Sequence, residues 1–163
     1  MSRAVLSIGS NLGDRLELLR AAVEALRPWL IAVSPVYDTA PWGPVPQPDF
    51  LNAVLIADDP AAEPREWLRR AHAAERAAGR TRKVRWGSRT LDVDVVAVDD
   101  IRSADPDLTL PHPRAAERAF VLVPWLAADP DATLPQGCVA DLIAALDADE
   151  VAGVRRRRDL GLI

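Results

Sequence analysis

The alternation of two hydrophobic periodicities along the chain is the feature that most restricts its fold. Apolar, β-branched runs typical of strands are separated by segments whose apolar residues recur every three or four positions, as on one helix face. The strands are predicted at residues 3–9, 31–38, 50–58 and 89–100, and the helices at residues 12–26 and 64–79. This order predicts an α+β fold, a ferredoxin-like βαββαβ sandwich with a mostly antiparallel sheet.

Local signals place the boundaries of these elements. Asn11, with Asp14 three residues later, predicts the start of the first helix in the pattern of a capping box. Pro35 predicts an edge or a bulge in the second strand, because proline cannot donate to a sheet ladder. Pro64 suits the first turn of the second helix. Residues 39–49, TAPWGPVPQPD, hold four prolines and a glycine and predict a loop.

The C-terminal part of the chain predicts a helical extension. Residues 108–130 contain a short strand, a turn and then an apolar helical stretch. A short helix is predicted at residues 139–148, and residues 154–163 predict a short edge strand. The run Arg155–Arg158 has no assigned role, and a solvated tail is the simplest interpretation. We find no internal repeat or linker and expect a single domain over residues 1–163.

Composition excludes several classes of protein. The net charge of −4 argues against a nucleic-acid binder, so any anion binding must come from a local cluster. Cys138 is the single cysteine, which fits a reducing cytosol. The N-terminus lacks an apolar signal region, and no apolar run approaches the roughly 18 residues of a membrane span. We expect a cytoplasmic monomer with small-molecule partners and without nucleic-acid or membrane partners.

The stretch RTLDVDVV, residues 89–96, places two acids in an otherwise apolar strand. Side chains alternate along a strand, so Asp92 and Asp94 point one way and Leu91, Val93 and Val95 the other. Two carboxylates this close repel each other, and a divalent cation relieves that repulsion. Mg²⁺ is commonly held by one or two carboxylates together with substrate phosphates. The alternative is a solvent-facing pair that forms salt bridges with nearby arginines.

A basic loop precedes this strand. It carries Arg80, Arg82, Lys83, Arg85 and Arg89, with no acidic residue from 79 to 89. Carboxylates for a metal beside guanidinium groups for phosphate oxygens are typical of phosphoryl transfer. A solvated loop is the alternative for the arginines alone. Together, the two features favour a polyphosphate site.

Two histidines and a few aromatic residues add candidates. His112 is held between two prolines, and His72 and Glu75 share one face of the second predicted helix. For the last two, an ordinary exposed helix surface is the alternative. Phe50 could stack on a flat ring, and Asn52 on the same strand face could pair with an aminopyrimidinone edge.

Three segments resemble one enzyme family over most of the chain. RWGSRTLDVDVV, the downstream LPHPRAAERAFVLVPWLAADP and the N-terminal IGSNLGDR are similar to the 6-hydroxymethyl-7,8-dihydropterin pyrophosphokinases of folate biosynthesis. The resemblance implies a ferredoxin-like fold and transfer of the β,γ-diphosphate of ATP to the pterin hydroxymethyl group, releasing AMP. It also implies two Mg²⁺ ions, with ATP as the cosubstrate.

The resemblance implies a role for each matching residue. Asp92 and Asp94 would bind the metal ions, and Arg80, Arg89 and Asp94 would act in catalysis. The implied pterin contacts are Thr39, Ala40, Trp42, Phe50, Asn52 and Phe120. The implied ATP contacts are His72, Glu75, Arg82, Trp86, Arg89, Val95, His112 and Arg118.

Two other hypotheses stay open on the residues alone. The ferredoxin-like topology also serves RNA recognition, in which aromatic residues of the sheet stack on bases. A metal-binding structural domain without turnover is the second alternative. Mg²⁺ dependence separates the first alternative from the enzyme, because an RNA-binding module binds without the metal.

Overall fold

The computed structural model of the chain describes residues 2–40, 44, 46–78 and 90–163. The strands are β1 (Arg3–Ser10), β2 (Leu30–Val33), β3 (Tyr37–Thr39), β4 (Phe50–Asp58), β5 (Asp92–Val98), β6 (Ser103–Asp105), β7 (Leu108–Leu110), β8 (Thr133–Leu134), β9 (Gly137–Cys138) and β10 (Arg155–Arg156). The α-helices are α1 (Arg15–Leu26), α2 (Pro64–Ala77), α3 (Ala119–Ala128), α4 (Val139–Ala145) and α5 (Ala148–Ala152). Short 3-10 turns lie at Arg27–Trp29 and Ala115–Glu117.

The main sheet has the order β10-β3-β4-β1-β5, and β2 pairs with β4 in line with β3. Every pairing in this sheet is antiparallel. With β2 and β3 counted as one interrupted strand, the first four predicted strands take the ferredoxin-like arrangement, and the predicted fold class is confirmed. The pairs β6–β7 and β8–β9 form two small separate sheets.

The two faces of the main sheet are covered by different helices. On one face, α1 and α2 pack on a cluster that includes Leu6, Leu55 and Val93. On the opposite face, α3 packs on a cluster that includes Val54 and Val96. The register between β1 and β5 shifts at Val5/Leu6, and this bulge lets Val96 and Ala97 both join the α3 cluster. None of the helices in the described part of the chain is long and apolar enough to cross a membrane.

The predicted second strand is interrupted at Pro35, as its sequence indicated. Ser34 replaces the missing ladder bonds: its N–H donates to Val54 O at 2.9 Å, and its hydroxyl accepts from Val54 N at 2.9 Å. The same hydroxyl donates to Pro35 O at 2.8 Å. Ser34 therefore keeps the chain bonded to β4 between β2 and β3, next to Pro35, which has no N–H to donate.

One local prediction, the N-cap of the first helix, is wrong. The first helix begins at Arg15, and its N-cap is Asp14, whose carboxylate accepts from Glu17 N at 3.2 Å. Asn11 instead donates its amide to Gln47 Oε1 and Pro48 O, at 2.8 and 2.9 Å. Both residues are suitable caps, and the long-range contacts of Asn11 decide between them. The predicted C-terminal edge strand is confirmed, because Arg155–Arg156 forms β10 at the edge of the main sheet, and both of its arginines are exposed.

Candidate active site

One face of the sheet changes from apolar to polar along three neighbouring strands, and β4 changes one residue pair later than β1 and β5. On the α3 face, β1 proceeds from buried Val5 to Ser7, β4 runs back from Ile56 to Asn52, and β5 runs back from Val96 to Asp94. The apolar part lies under α3, and the polar part lies at the end where β4 and β5 begin. The strand alternation predicted for residues 91–95 is confirmed, since Leu91, Val93 and Val95 join the opposite cluster.

A cross-strand row connects the two halves of this polar region. Asn52 on β4 is opposite Gly9 on β1, and Gly9 is opposite Asp92 on β5. Residues directly opposite each other in antiparallel strands lie on the same face. A Cβ at Gly9 would lie 2.6 Å from Asn52 Oδ1 and 3.5 Å from Phe50 Cδ1. The glycine therefore allows the Asn52 amide to approach the backbone of β1 closely, between the positions of Asn52 and Asp92.

The carboxylate pair is held by the buried side chain of Glu75. Asp92 and Asp94 are half-buried on β5, which lies at the edge of the main sheet. Glu75 on α2 is 7% exposed, and its Oε2 accepts from Val93 N at 2.9 Å. Val93 lies between the two aspartates, so this bond fixes the backbone that presents them. The alternative of an ordinary exposed surface is wrong for Glu75 but fits His72, which is exposed.

A cavity of about 420 Å³ opens beside this edge. It lies between α2, β5, the β6–β7 hairpin and the turn at His112. Its lining includes His72, Glu75, Asp92, Asp94, Val95 and His112. The structure therefore brings together the predicted metal residues and most of the described candidates for ATP contact. The β6–β7 hairpin supplies the outer wall; the sequence predicted its second strand, β7, but not β6.

His112 is fixed by its own backbone and by its neighbour. The backbone N–H of His112 donates to Val96 O at 2.7 Å, and the imidazole Nδ1 accepts from the backbone N–H of Arg114 at 3.2 Å. A neutral imidazole that accepts at Nδ1 carries its proton on Nε2, which is then a donor. Burial, followed by the charges of Arg118 and Arg114, lowers the pKa of His112, while Asp92 opposes the shift. The neutral ring is thus favoured.

Arg118 lies beside the same carboxylates. Burial lowers the pKa of its guanidinium, and the charge of Asp94 is the main opposing influence. Within the described residues, Arg118 Nε is buried and has no hydrogen-bond partner. The guanidinium carbon lies 5.4 Å from the centre of the Phe120 ring. A partly desolvated cation with an unused donor is suited to an anionic ligand.

The other half of the polar region is uncharged. Asn52 is 4% exposed, and its Nδ2 donates to Thr39 Oγ1 at 2.5 Å. Phe50, at the start of β4, is half-buried and lies on the same face two residues away. Ala40 is exposed at the start of the proline-rich loop. Phe120 begins α3 and packs at the border of the α3 cluster.

Several predicted site residues lie outside the described part of the chain. These are Trp42, Arg80, Arg82, Trp86 and Arg89. Their roles stay predictions.

Sequence reasoning missed two residues of this site. Gly9 was interpreted only as the end of a strand, although a glycine inside a strand often marks a close approach of another group. Asn11 was interpreted as a helix cap, whereas it anchors the end of the proline-rich loop through Gln47 and Pro48. No local signal distinguishes a cap from such an anchor.

The donor set fits Mg²⁺ that is shared with a phosphate ligand. Across residues 2–40, 44, 46–78 and 90–163, no group of three His, Cys, Asp or Glu side chains is arranged to hold a metal ion. A permanent all-protein metal centre is therefore not supported there. Two carboxylates that line an open cavity match the usual protein share of a Mg²⁺ site, in which phosphates and waters complete the shell.

A charged edge beside an uncharged polar patch on the same face suits a phosphate-group transferase whose acceptor carries a ring. Comparison with known proteins identifies which transferase family this is. Residues 5–130 match the family of 7,8-dihydro-6-hydroxymethylpterin-pyrophosphokinase (HPPK), and the chain belongs to this family.

Individual relatives agree with this assignment. The chain is 54% identical over 168 residues to the 2-amino-4-hydroxy-6-hydroxymethyldihydropteridine pyrophosphokinase of Mycobacterium tuberculosis, which covers 95% of this chain and 89% of that protein. It is 40% identical over 158 residues to the enzyme of the same name from Methylorubrum extorquens, covering 94% and 99%.

A solved structure supports the fold. Wild-type HPPK-DHPS of Plasmodium falciparum, with pterin and p-hydroxybenzoate, superposes with a TM-score of 0.65 at 13% identity. The match covers 86% of this chain and 41% of that chain, so this chain spans less than half of its length.

Proposed function

We propose that this chain transfers the β,γ-diphosphate of ATP to the hydroxymethyl group of 6-hydroxymethyl-7,8-dihydropterin, releasing AMP. Family membership supports pyrophosphokinase activity on the pterin. The use of ATP and of two Mg²⁺ ions held by Asp92 and Asp94 is part of the proposal. One observation carries it: Asn52, Gly9 and Asp92 form a row across adjacent strands. Strand spacing places the outer two positions about 10 Å apart.

In this proposal the pterin binds on the β4 side. Asn52 reads the pyrimidine edge, and the ring lies between Phe50 and Phe120. The backbone of Thr39 and Ala40 borders the recess, together with Trp42. Because Gly9 has no side chain, the hydroxymethyl group can extend across β1 toward Asp92. A larger residue at position 9 would close that path.

ATP binds in the cavity beside β5. His72, Glu75 and Val95 border it, and His112 Nε2–H and Arg118 are the described donors for phosphate oxygens. Arg82, Trp86 and Arg89 keep their predicted contacts with ATP, and Arg80 and Arg89 keep their predicted roles in catalysis. A neutral His112 donates without adding charge, so the arginines supply the positive potential.

Catalysis then rests mainly on positioning and charge. Mg²⁺ bound at Asp92 and Asp94 would neutralise phosphate charge and help to align the attack. Asp94 is the candidate to accept the proton of the attacking hydroxyl. Because the two substrates meet over Gly9, much of the barrier can be lowered by holding the reacting groups in line.

The test is product analysis. The chain is incubated with ATP, Mg²⁺ and 6-hydroxymethyl-7,8-dihydropterin, and AMP and ADP are separated by chromatography. We expect AMP in a one-to-one ratio with the pterin diphosphate, and none when EDTA is added or the pterin is omitted. Formation of ADP, or turnover that survives EDTA, would contradict the proposal.

The RNA-binding alternative has no support from the comparisons, and the same preparation tests it. We expect no Mg²⁺-independent binding of single-stranded RNA at physiological salt. A monomeric state and a cytoplasmic location also stay predictions, and sedimentation of the full chain tests the first of them.

A further inference from the structure

The C-terminal segment, residues 155–162, closes the edge of the sheet on the pterin side. Arg155 and Arg156 of β10 are opposite Asp38 and Tyr37 of β3. Arg157 N donates to Val36 O at 2.8 Å, which extends the pairing by one bond. Further on, Arg20 Nε of α1 donates to Gly161 O at 3.1 Å, and Leu162 is 7% exposed within the α1–α2 cluster. The segment is therefore fixed at both ends.

Within this segment, Arg157 forms an ion pair with Asp38. Arg157 Nη1 lies 3.2 Å from Asp38 Oδ2, and the two side chains are 33% and 15% exposed. Asp159 holds the same guanidinium from the other side, through Nη2 at 2.8 Å. Asp38 Oδ1 is buried without a hydrogen-bond partner in the described residues. Removal of Arg157 would leave a largely buried carboxylate without its cation, and such charges disturb their surroundings strongly.

The strand that carries Asp38 is short, and it pairs with β4 on one side and with β10 of the C-terminal segment on the other. β3 is three residues long, and it leads directly into the proline-rich loop. The last residue of β3 is Thr39, whose Oγ1 accepts a hydrogen bond from Asn52 Nδ2 at 2.5 Å. A shift of β3 would therefore move the hydroxyl that sets the orientation of the Asn52 amide. This chain of contacts connects Arg157 with the pterin side in three steps.

We propose that residues 155–162 are the outer support of the pterin site and that Arg157 is a positioning residue, acting through Asp38 and Thr39 on Asn52. The inference rests on the proposed function, because it takes Asn52 and Thr39 as part of the pterin site. The segment lies beyond residues 5–130, where the family match ends. It also gives the arginine run a role that charge alone did not indicate.

The experiment measures KM for each substrate in the full-length chain. We expect Arg157→Ala to raise KM for the pterin about tenfold and to change KM for ATP by less than about twofold. Arg157→Lys keeps the charge and should recover most of the loss. Arg158→Ala is the matched control, because it removes an exposed arginine from the same run, and it should leave both constants unchanged.

Asn52→Ala is measured in parallel to separate the two proposals. If Asn52→Ala raises the pterin KM and Arg157→Ala does not, the supporting role of the C-terminal segment is wrong. If neither does, the assignment of the pterin side fails and the inference fails with it. Equal changes in both KM values, or an equal effect of Arg158→Ala, would also overturn it. Should Arg157→Ala fail to fold, Asp38→Asn, which keeps the shape of the side chain, must show the same selective rise.

Discussion

The two halves of the site lie on one face of one sheet but are held in different ways. The carboxylates are on β5, at the sheet edge, and the backbone around them is fixed from outside the ladder. Glu75 bonds Val93 N, and His112 N bonds Val96 O. Asn52 and Phe50 are on β4, an interior strand with β1 on one side and β3 on the other. Ladder bonds hold this half on both sides.

This difference matches what each half is proposed to bind. A flat, uncharged ring needs a fixed recess, and an interior strand supplies one because its neighbours prevent movement. Charged ligands need groups that stay solvated until the ligand arrives, which an edge strand allows. The edge then depends on single side chains, so we expect it to be more sensitive to substitution than the interior half.

Asp94→Asn tests the charged half and should have the largest effect. The change keeps the size of the side chain and removes one of the two charges proposed to hold the metal. We expect kcat/KM to fall about a hundredfold to a thousandfold, and the free energy of unfolding to change by less than about 1 kcal/mol. Steady-state kinetics and urea unfolding check the two parts. Asp100→Asn, at an exposed position after β5, is the control; activity near that of the parent chain in Asp94→Asn would refute a metal role.

Glu75 tests whether the edge depends on a single side chain. Glu75→Ala leaves Val93 N without its acceptor, which we expect to lower the free energy of unfolding by about 1–3 kcal/mol. Loss of such a supporting bond typically lowers metal affinity or activity about 10- to 100-fold. Glu75→Gln retains an acceptor oxygen and should lose much less.

The measurement for Glu75 is the Mg²⁺ concentration that gives half-maximal rate in each variant. Glu63→Ala removes an exposed carboxylate at the N-terminal end of α2 and serves as control. If alanine and glutamine have equal effects, the charge of Glu75 matters and its bond to Val93 does not.

Sequence patterns predicted what depends on neighbours along the chain. Asp92 and Asp94 share a face because a strand alternates, and Pro64 begins α2 because its missing N–H is harmless there. The structure corrects residues whose partners are distant. Glu75 meets a backbone N–H on β5, and Arg157 meets Asp38 from 119 positions away. A helix surface or an arginine run looks the same in sequence whether or not such a partner exists.

Gly9→Ala tests whether the close approach of Asn52 to β1 at Gly9 matters for the pterin half. The added Cβ would lie 2.6 Å from Asn52 Oδ1, and Thr39 holds the amide of Asn52 in place. We expect KM for the pterin to rise about tenfold, with a smaller change for ATP. Overpacking should lower the free energy of unfolding by about 1–3 kcal/mol. Gly153→Ala, whose added Cβ would lie 3.4 Å from the nearest backbone oxygen, is the control. An unchanged pterin KM in Gly9→Ala would mean that position 9 does not connect the two halves.

His112 gives the smallest and most direct test of the charged half. Burial and the charges of Arg118 and Arg114 lower its pKa, so Arg118→Ala should raise it toward the ordinary value of 6.5. Because the folded-state pKa lies below the unfolded one, His112 contributes stability above pH 6.5 that is lost as the pH falls through the folded-state pKa. Arg118→Ala should bring the folded-state pKa of His112 closer to the unfolded one and so narrow the pH range over which this stability is lost.

The chain has two histidines, so a proton NMR titration resolves His112 once His72→Asn assigns the other signal. The control is Arg27→Ala, which removes an exposed arginine at the end of α1. We expect its His112 titration to have the same midpoint as in the parent chain. If the midpoint of the His112 titration is unchanged in Arg118→Ala, Arg118 does not act on His112. The charged half would then lack the coupling between its cation and its imidazole that distinguishes it from the uncharged half.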